Sequence, residues 1–99
     1  MKLEQLKKLK KEIYQIAARY GIKEVYVFGS VARGDDTNMS DVDFLIEMEN
    51  GASSFGIGAF QFEAQKLLGV QIDVVPTFAL PAVDDKNFVQ SLQMEAIAL

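Results

Sequence analysis

Asp41, Asp43 and Asp73 are the residues whose types and spacing could do chemistry together. The first two close the stretch GSVARGDDTNMSDVD (29–43), in which a Gly-Ser pair precedes an Asp-x-Asp by ten residues. Side chains alternate faces along a strand, so in DVDFLIEM (41–48) Val42, Phe44, Ile46 and Met48 share a core face and Asp41 and Asp43 share the other. In VQIDVV (70–75), Val70, Ile72 and Val74 form the core face and leave Gln71 and Asp73 opposite. If the two strands pair, the three carboxylates meet on one open face. Clustered carboxylates repel, and some must stay protonated unless a cation lies among them. Residues two apart on a strand are roughly 6–7 Å apart. Such a pair can grip one divalent ion, or two ions about 4 Å apart. An isolated Asp-x-Asp also suits a solvated strand end. Asp73 has no turn to serve, and acidic residues are depleted in strands.

Gly29 and Ser30 fit the same chemistry. Gly29 permits a sharp turn at the end of a strand, and Ser30 stands where a short helix, about VAR, begins. The Ser30 hydroxyl and the first helical N–H groups can hold a phosphate, with Arg33 as a nearby cation and Gly34 closing the helix. A Gly-Ser pair alone is common in ordinary turns. Together with the aspartates it describes a site for a metal–triphosphate.

The elements that must position these residues are legible from periodicity. Leu3, Leu6, Leu9, Ile13, Ile16, Ala17 and Tyr20 form one helical stripe ended by Gly21. KEVYVF (23–28) reads as a strand, NGASS (50–54) as a loop, and Phe55 to Leu68 as a second helix whose start is obscured by Gly56 and Gly58. Near the end, Asp84 is expected as an N-cap, with Val83 and Phe88 as a staple across it, and Val89, Leu92 and Ala96 continue an apolar face. The expected fold class is α/β (α+β): a single domain over residues 1–99, with a small mixed sheet of about three strands and flanking helices.

Composition narrows the chemistry. The chain has 99 residues with neither Cys nor His, which excludes disulfides, thiolate sites and imidazole bases. A metal must then be held by oxygen, and Mg²⁺ or Mn²⁺ are the natural ions. The net charge of −4 is uneven: five lysines fall in the first eleven residues, and beyond Glu12 the balance is −7. An acidic body is a poor match for a nucleic-acid backbone. The basic start reads as a solvated helix face or a small docking patch. No stretch is apolar enough to span a bilayer, and the N-terminus lacks the apolar core of a secretion signal, so a cytoplasmic location is expected.

The string FGSVARGDDTNMSDVDFLIEME, with Asp73 on a later strand, resembles the DNA polymerase β-type nucleotidyltransferases. More narrowly it is similar to the minimal nucleotidyltransferases, single-domain proteins of about this length. The resemblance implies that Asp41 and Asp43 bind two Mg²⁺ ions, and that Asp73 helps hold the second and acts as base toward an acceptor hydroxyl. It implies ATP as substrate, with Gly29, Ser30 and Arg33 at the nucleotide phosphates. It further implies an antitoxin that transfers AMP to a tyrosine of a HEPN-domain toxin. The region after Asp73 departs from many relatives in carrying one basic residue, Lys86. Neutralisation of the partner by binding alone, and transfer to a small molecule or an RNA end, are the alternative readings. Homo- or hetero-oligomerisation stays open.

Overall fold

Two apolar faces have to be buried by the same sheet, and the helices divide between them. The computed structural model describes residues 1–35 and 41–99. The connection at 36–40, expected as part of a tight loop, lies outside the described residues. The N-terminal stripe forms two helices, α1 (Leu3–Lys8) and α2 (Lys10–Arg19), broken at Leu9 where one continuous helix is expected. Neither Gly nor Pro marks the break. Its cause is tertiary. The next elements, β1 (Ile22–Phe28) and the short helix α3 (Gly29–Arg33), give the two helices different targets. α1 lies beside α3, sharing a depression lined by Leu3, Lys7, Val31 and Gly34, while α2 packs on β1.

β2 (Val42–Met48) pairs antiparallel with β1. β3 (Ile72–Pro76) pairs parallel with β2, an arrangement that needs a long crossover. α4 (Phe55–Leu68) supplies it, with the bounds expected from its apolar pattern. Gly56 is explained by packing: a Cβ there would lie 2.7 Å from the Tyr20 carbonyl oxygen. The same junction is tied by Arg19, whose guanidinium meets Glu63 at 2.7 Å, and by the Tyr20 hydroxyl donating to Glu63.

A 3₁₀ segment (Thr77–Ala82) and α5 (Lys86–Glu95) follow. The N-cap of α5 is Asp85, one residue later than expected: its side chain accepts from the Phe88 N–H at 3.0 Å. Ala96 does not extend the helix. It turns extended and leads into β4 (Ile97–Ala98), which pairs antiparallel with β1. The sheet therefore has four strands in the order β3-β2-β1-β4, where about three are expected. A two-residue strand carries too little alternation to be seen in advance. Expected at 70–75, β3 starts instead at Ile72, and Val70 packs at the core margin.

One sheet face carries the main core: Val25, Val27, Val42, Phe44, Ile46 and Ile72 pack against Ile13, Ile16, Phe60, Ala64 and Leu68. The Phe44 and Phe60 rings lie 6.0 Å apart in a tilted contact. The other face holds a smaller cluster of Phe28, Leu45, Leu80 and Leu92. Because Phe60 is fully buried at the crossover, Phe60→Ala should destabilise the fold by about 3–5 kcal/mol. Urea unfolding followed by circular dichroism measures this.

Candidate active site

Adjoining strands set the acidic pair. In the parallel β2–β3 register, Val42 stands beside Ile72 and Asp43 beside Asp73. Val42, Phe44 and Ile72 are buried on the core face, so Asp43 and Asp73 project from the opposite face. A one-residue slip would drive an aspartate into the core, so burial of these neighbours holds the register. The outer edge of β3 is held by α4. Gln61 donates to the Ile72 carbonyl at 2.7 Å, and the Ile72 N–H donates to the Gln65 side chain at 3.2 Å. These two glutamines position the residue before Asp73. Their spacing of four is the single signal in the sequence, and it reads equally well as helix surface.

Asp43 is half-buried, whereas Asp41 and Asp73 are exposed. Burial raises the Asp43 carboxyl to about 6, helped by the charge of Asp73, a hydrogen bond with Asp73 and the charge of Asp41, with Arg33 opposing. Asp43 and Asp73 are thus brought together, while Asp41 acts from the rim through its field. Among the described residues, no three acidic or other ligating side chains form a ready cage.

The turn at the end of β1 presses on the same carboxyl. Gly29 has φ 75°, and a Cβ there would lie 2.3 Å from the Asp43 Oδ2 atom. Only glycine combines that backbone with that approach. Ser30 and Val31 follow in α3, which closes at Gly34, φ 80°, through N–H bonds to the Ser30 and Val31 carbonyls. Arg33 is held by Asp35 at 3.4 Å and Glu95 at 3.1 Å, and both pairs push its already high pKa further up. Arg33, Gly29, Asp43 and Asp73 line one pocket of about 400 Å³, whose other wall is Phe28, Val75, Phe88, Ser91, Leu92 and Glu95. One wall is acidic and the other largely apolar. The donor set is entirely oxygen, which suits a hard divalent cation. Asp43 retains its proton to about pH 6 because burial first, and the neighbouring Asp73 second, disfavour its charge.

The nucleotidyltransferase domain model matches residues 4–99. The chain belongs to this family. A candidate protein adenylyltransferase of Methanocaldococcus jannaschii is 31% identical over 70 residues, covering 71% of this chain and 75% of that one. The protein adenylyltransferase MntA of Thermococcus cleftensis is 34% identical over 61 residues, and the match spans 62% of each chain. Among solved structures, a candidate minimal nucleotidyltransferase superposes with a TM-score of 0.78 at 32% identity, over 100% of this chain and 97% of the other. A toxin–antitoxin complex solved with AMP-PNP shares the fold at a TM-score of 0.68 and 15% identity, over 90% of this chain and 70% of that one. The chain shares the family's fold, a mixed sheet with flanking helices.

The raised Asp43 pKa has a consequence for the metal-free nucleotidyltransferase. Between about pH 4 and pH 6 the folded state binds a proton that the unfolded state has released, so stability falls as pH rises through that window. The loss is complete above it. Asp43→Asn removes the charge, and at pH 7.5 should stabilise the metal-free fold by about 1 kcal/mol, allowing for solvent screening. That corresponds to about 4–8 °C in Tm. At pH 4 the variant and the parent should melt together. Calorimetry at both pH values checks the difference.

Proposed function

We propose that this nucleotidyltransferase transfers AMP from ATP to a hydroxyl group of a protein, and that it does so as the antitoxin of a HEPN-type toxin whose tyrosine is the acceptor. The observation that carries the reading is the contact between the Asp43 and Asp73 carboxylates beside the Gly29 turn, with Arg33 on the same pocket wall. The relatives named as protein adenylyltransferases support a protein acceptor over a small molecule or an RNA end. So does the acidic body of the chain, which repels nucleic acid.

In this reading Asp41, Asp43 and Asp73 hold Mg²⁺, or Mn²⁺, through oxygen ligands. When bound, the metal supplies positive charge that neutralises the phosphates and the developing oxyanion. Gly29, Ser30 and Arg33 face the nucleotide phosphates: the absent Cβ at Gly29 lets the turn lie against the Asp43 carboxylate, and Arg33 contributes charge. Asp73, more exposed than Asp43, accepts the proton of the acceptor hydroxyl. The acceptor oxygen bonds to the α-phosphorus, the bond from that phosphorus to the bridging oxygen breaks, and pyrophosphate leaves. Asp43 has to be ionised for this chemistry, so it works above its metal-free pKa or with its proton displaced.

The test is covalent labelling. The protein is incubated with α-labelled ATP, Mg²⁺ and its co-expressed partner, and label is sought on the partner's tyrosine by mass spectrometry. Asp43→Asn should lower the labelling rate by at least about 10²-fold, in line with loss of one transition-state charge stabiliser. Full neutralisation of the partner by Asp43→Asn would instead assign the biological role to binding alone. Label in RNA and none in protein would move the acceptor to an RNA end.

A further inference from the structure

A second cavity, of about 540 Å³, opens on the same sheet face farther along β2. Its apolar walls include Tyr26, Leu45, Leu80 and Val89, and its polar members are Glu47, Thr77, Lys86 and Gln93. Nothing in the transfer chemistry uses it. Asp43, Leu45 and Glu47 follow one another on this face of β2, which sets Glu47 roughly 13 Å from Asp43 by strand rise.

Glu47 is half-buried, and among the described residues no hydrogen bond or ion pair engages it. Directly across the antiparallel β1–β2 pair stands Glu24. Glu24 has a partner, the Tyr14 hydroxyl at 3.2 Å. Like charges opposite each other across a sheet are destabilising, and among the described residues no ion pair engages either carboxylate. Lys86 also lines the cavity, and its ammonium donates to the Pro81 and Val83 carbonyls at 3.0 and 2.7 Å. The site therefore offers a carboxylate without an ion-pair partner, an aromatic ring and an apolar sleeve, with the Lys86 ammonium tied to backbone carbonyls at one side.

We infer that this cavity receives an arginine side chain of the protein acceptor. A guanidinium suits it better than an ammonium. Its planar face can lie on the Tyr26 ring, its fork of N–H donors can reach Glu47 and Gln93, and its aliphatic stem packs on Leu45, Leu80 and Val89. The acidic balance of the chain beyond Glu12 steers such a partner inward. The roughly 13 Å to Asp43 is about four residues of extended chain, so the docking arginine and the modified hydroxyl would lie close together in an extended acceptor segment. As acceptor recognition this rests on the protein-acceptor reading. Binding of a guanidinium in the cavity does not.

The test titrates the full chain with N-acetyl-arginine amide, followed by amide NMR. Shifts are expected at Tyr26, Leu45, Val89 and Ala96, with a Kd of order 1–10 mM for so small a probe. Glu47→Gln should weaken binding at least tenfold, and the uncharged N-acetyl-citrulline amide should not bind. Asp43→Asn should bind the probe as the parent does, which separates failure of this site from failure of the catalytic reading. Glu47→Gln should melt at the same temperature as the parent or higher, because it relieves repulsion with Glu24. Shifts absent at these residues up to 50 mM probe (about five times the upper expected Kd), equal binding of the citrulline probe, unchanged affinity in Glu47→Gln, or a lower melting temperature of that variant would each overturn the inference.

Discussion

Two carboxylates held side by side are an electrostatic burden, and the rest of this structure is arranged to carry it. Asp43 and Asp73 occupy facing positions of a parallel strand pair, and their mutual repulsion adds to burial in holding a proton on Asp43 to about pH 6. The backbone cannot move the two positions apart unless the strands slip or splay. Slippage is prevented by Val42, Phe44 and Ile72, which are fully or almost fully buried on the reverse face. Splaying is opposed by Gln61 and Gln65 of α4, which hold the outer edge of β3 at Ile72. The Gly29 turn closes the third side, approaching Asp43 so nearly that no Cβ fits. The stability of the main core is in this sense spent on a local arrangement that water would relax.

The second face of the sheet explains why the pocket has one acidic and one apolar wall. Leu45, on the same side of β2 as Asp43, is buried against Phe28, Leu80 and Leu92. The 3₁₀ segment and α5 thus cover the middle of the face, leaving the carboxylate pocket on one side and the Glu47 cavity on the other. α5 also reaches back to the Gly-Ser turn, because Glu95 pairs with Arg33. That contact links the last helix to the Gly29 side of the pocket. Among the described residues, no helix is long and apolar enough to cross a membrane.

Much of this was legible in the sequence because burial imposes periodicity. The alternation in DVDFLIEM placed Asp43 opposite the core residues Val42 and Phe44, and the same pattern around Ile72 assigned a face to Asp73. The bounds of α4 followed from its apolar stripe despite Gly56, whose purpose emerged only from the approach of Tyr20. The illegible parts depend on tertiary contacts. The break at Leu9 answers to two packing targets and has no local breaker. β4 exists because Ile97 and Ala98 meet the free edge of β1, and two residues show no pattern. Leu45 reads as solvent-facing by alternation, and became core because the 3₁₀ segment folds over it. The Gln61–Gln65 clamp could not be told from helix surface.

The central claim is that the Asp43–Asp73 pair is poised for a divalent cation with a nucleotide. Carboxyl-carbon NMR titration of aspartate-labelled protein tests it most directly, without metal and then with Mg²⁺ and a non-hydrolysable ATP analogue. The account predicts that Asp43 titrates near pH 6 in the metal-free protein, and that its titration drops below the ordinary carboxylate range when metal and nucleotide are present. An ordinary aspartate titration for Asp43 in both conditions would contradict it, because the pair would then be two independent solvated carboxylates with no call on a cation.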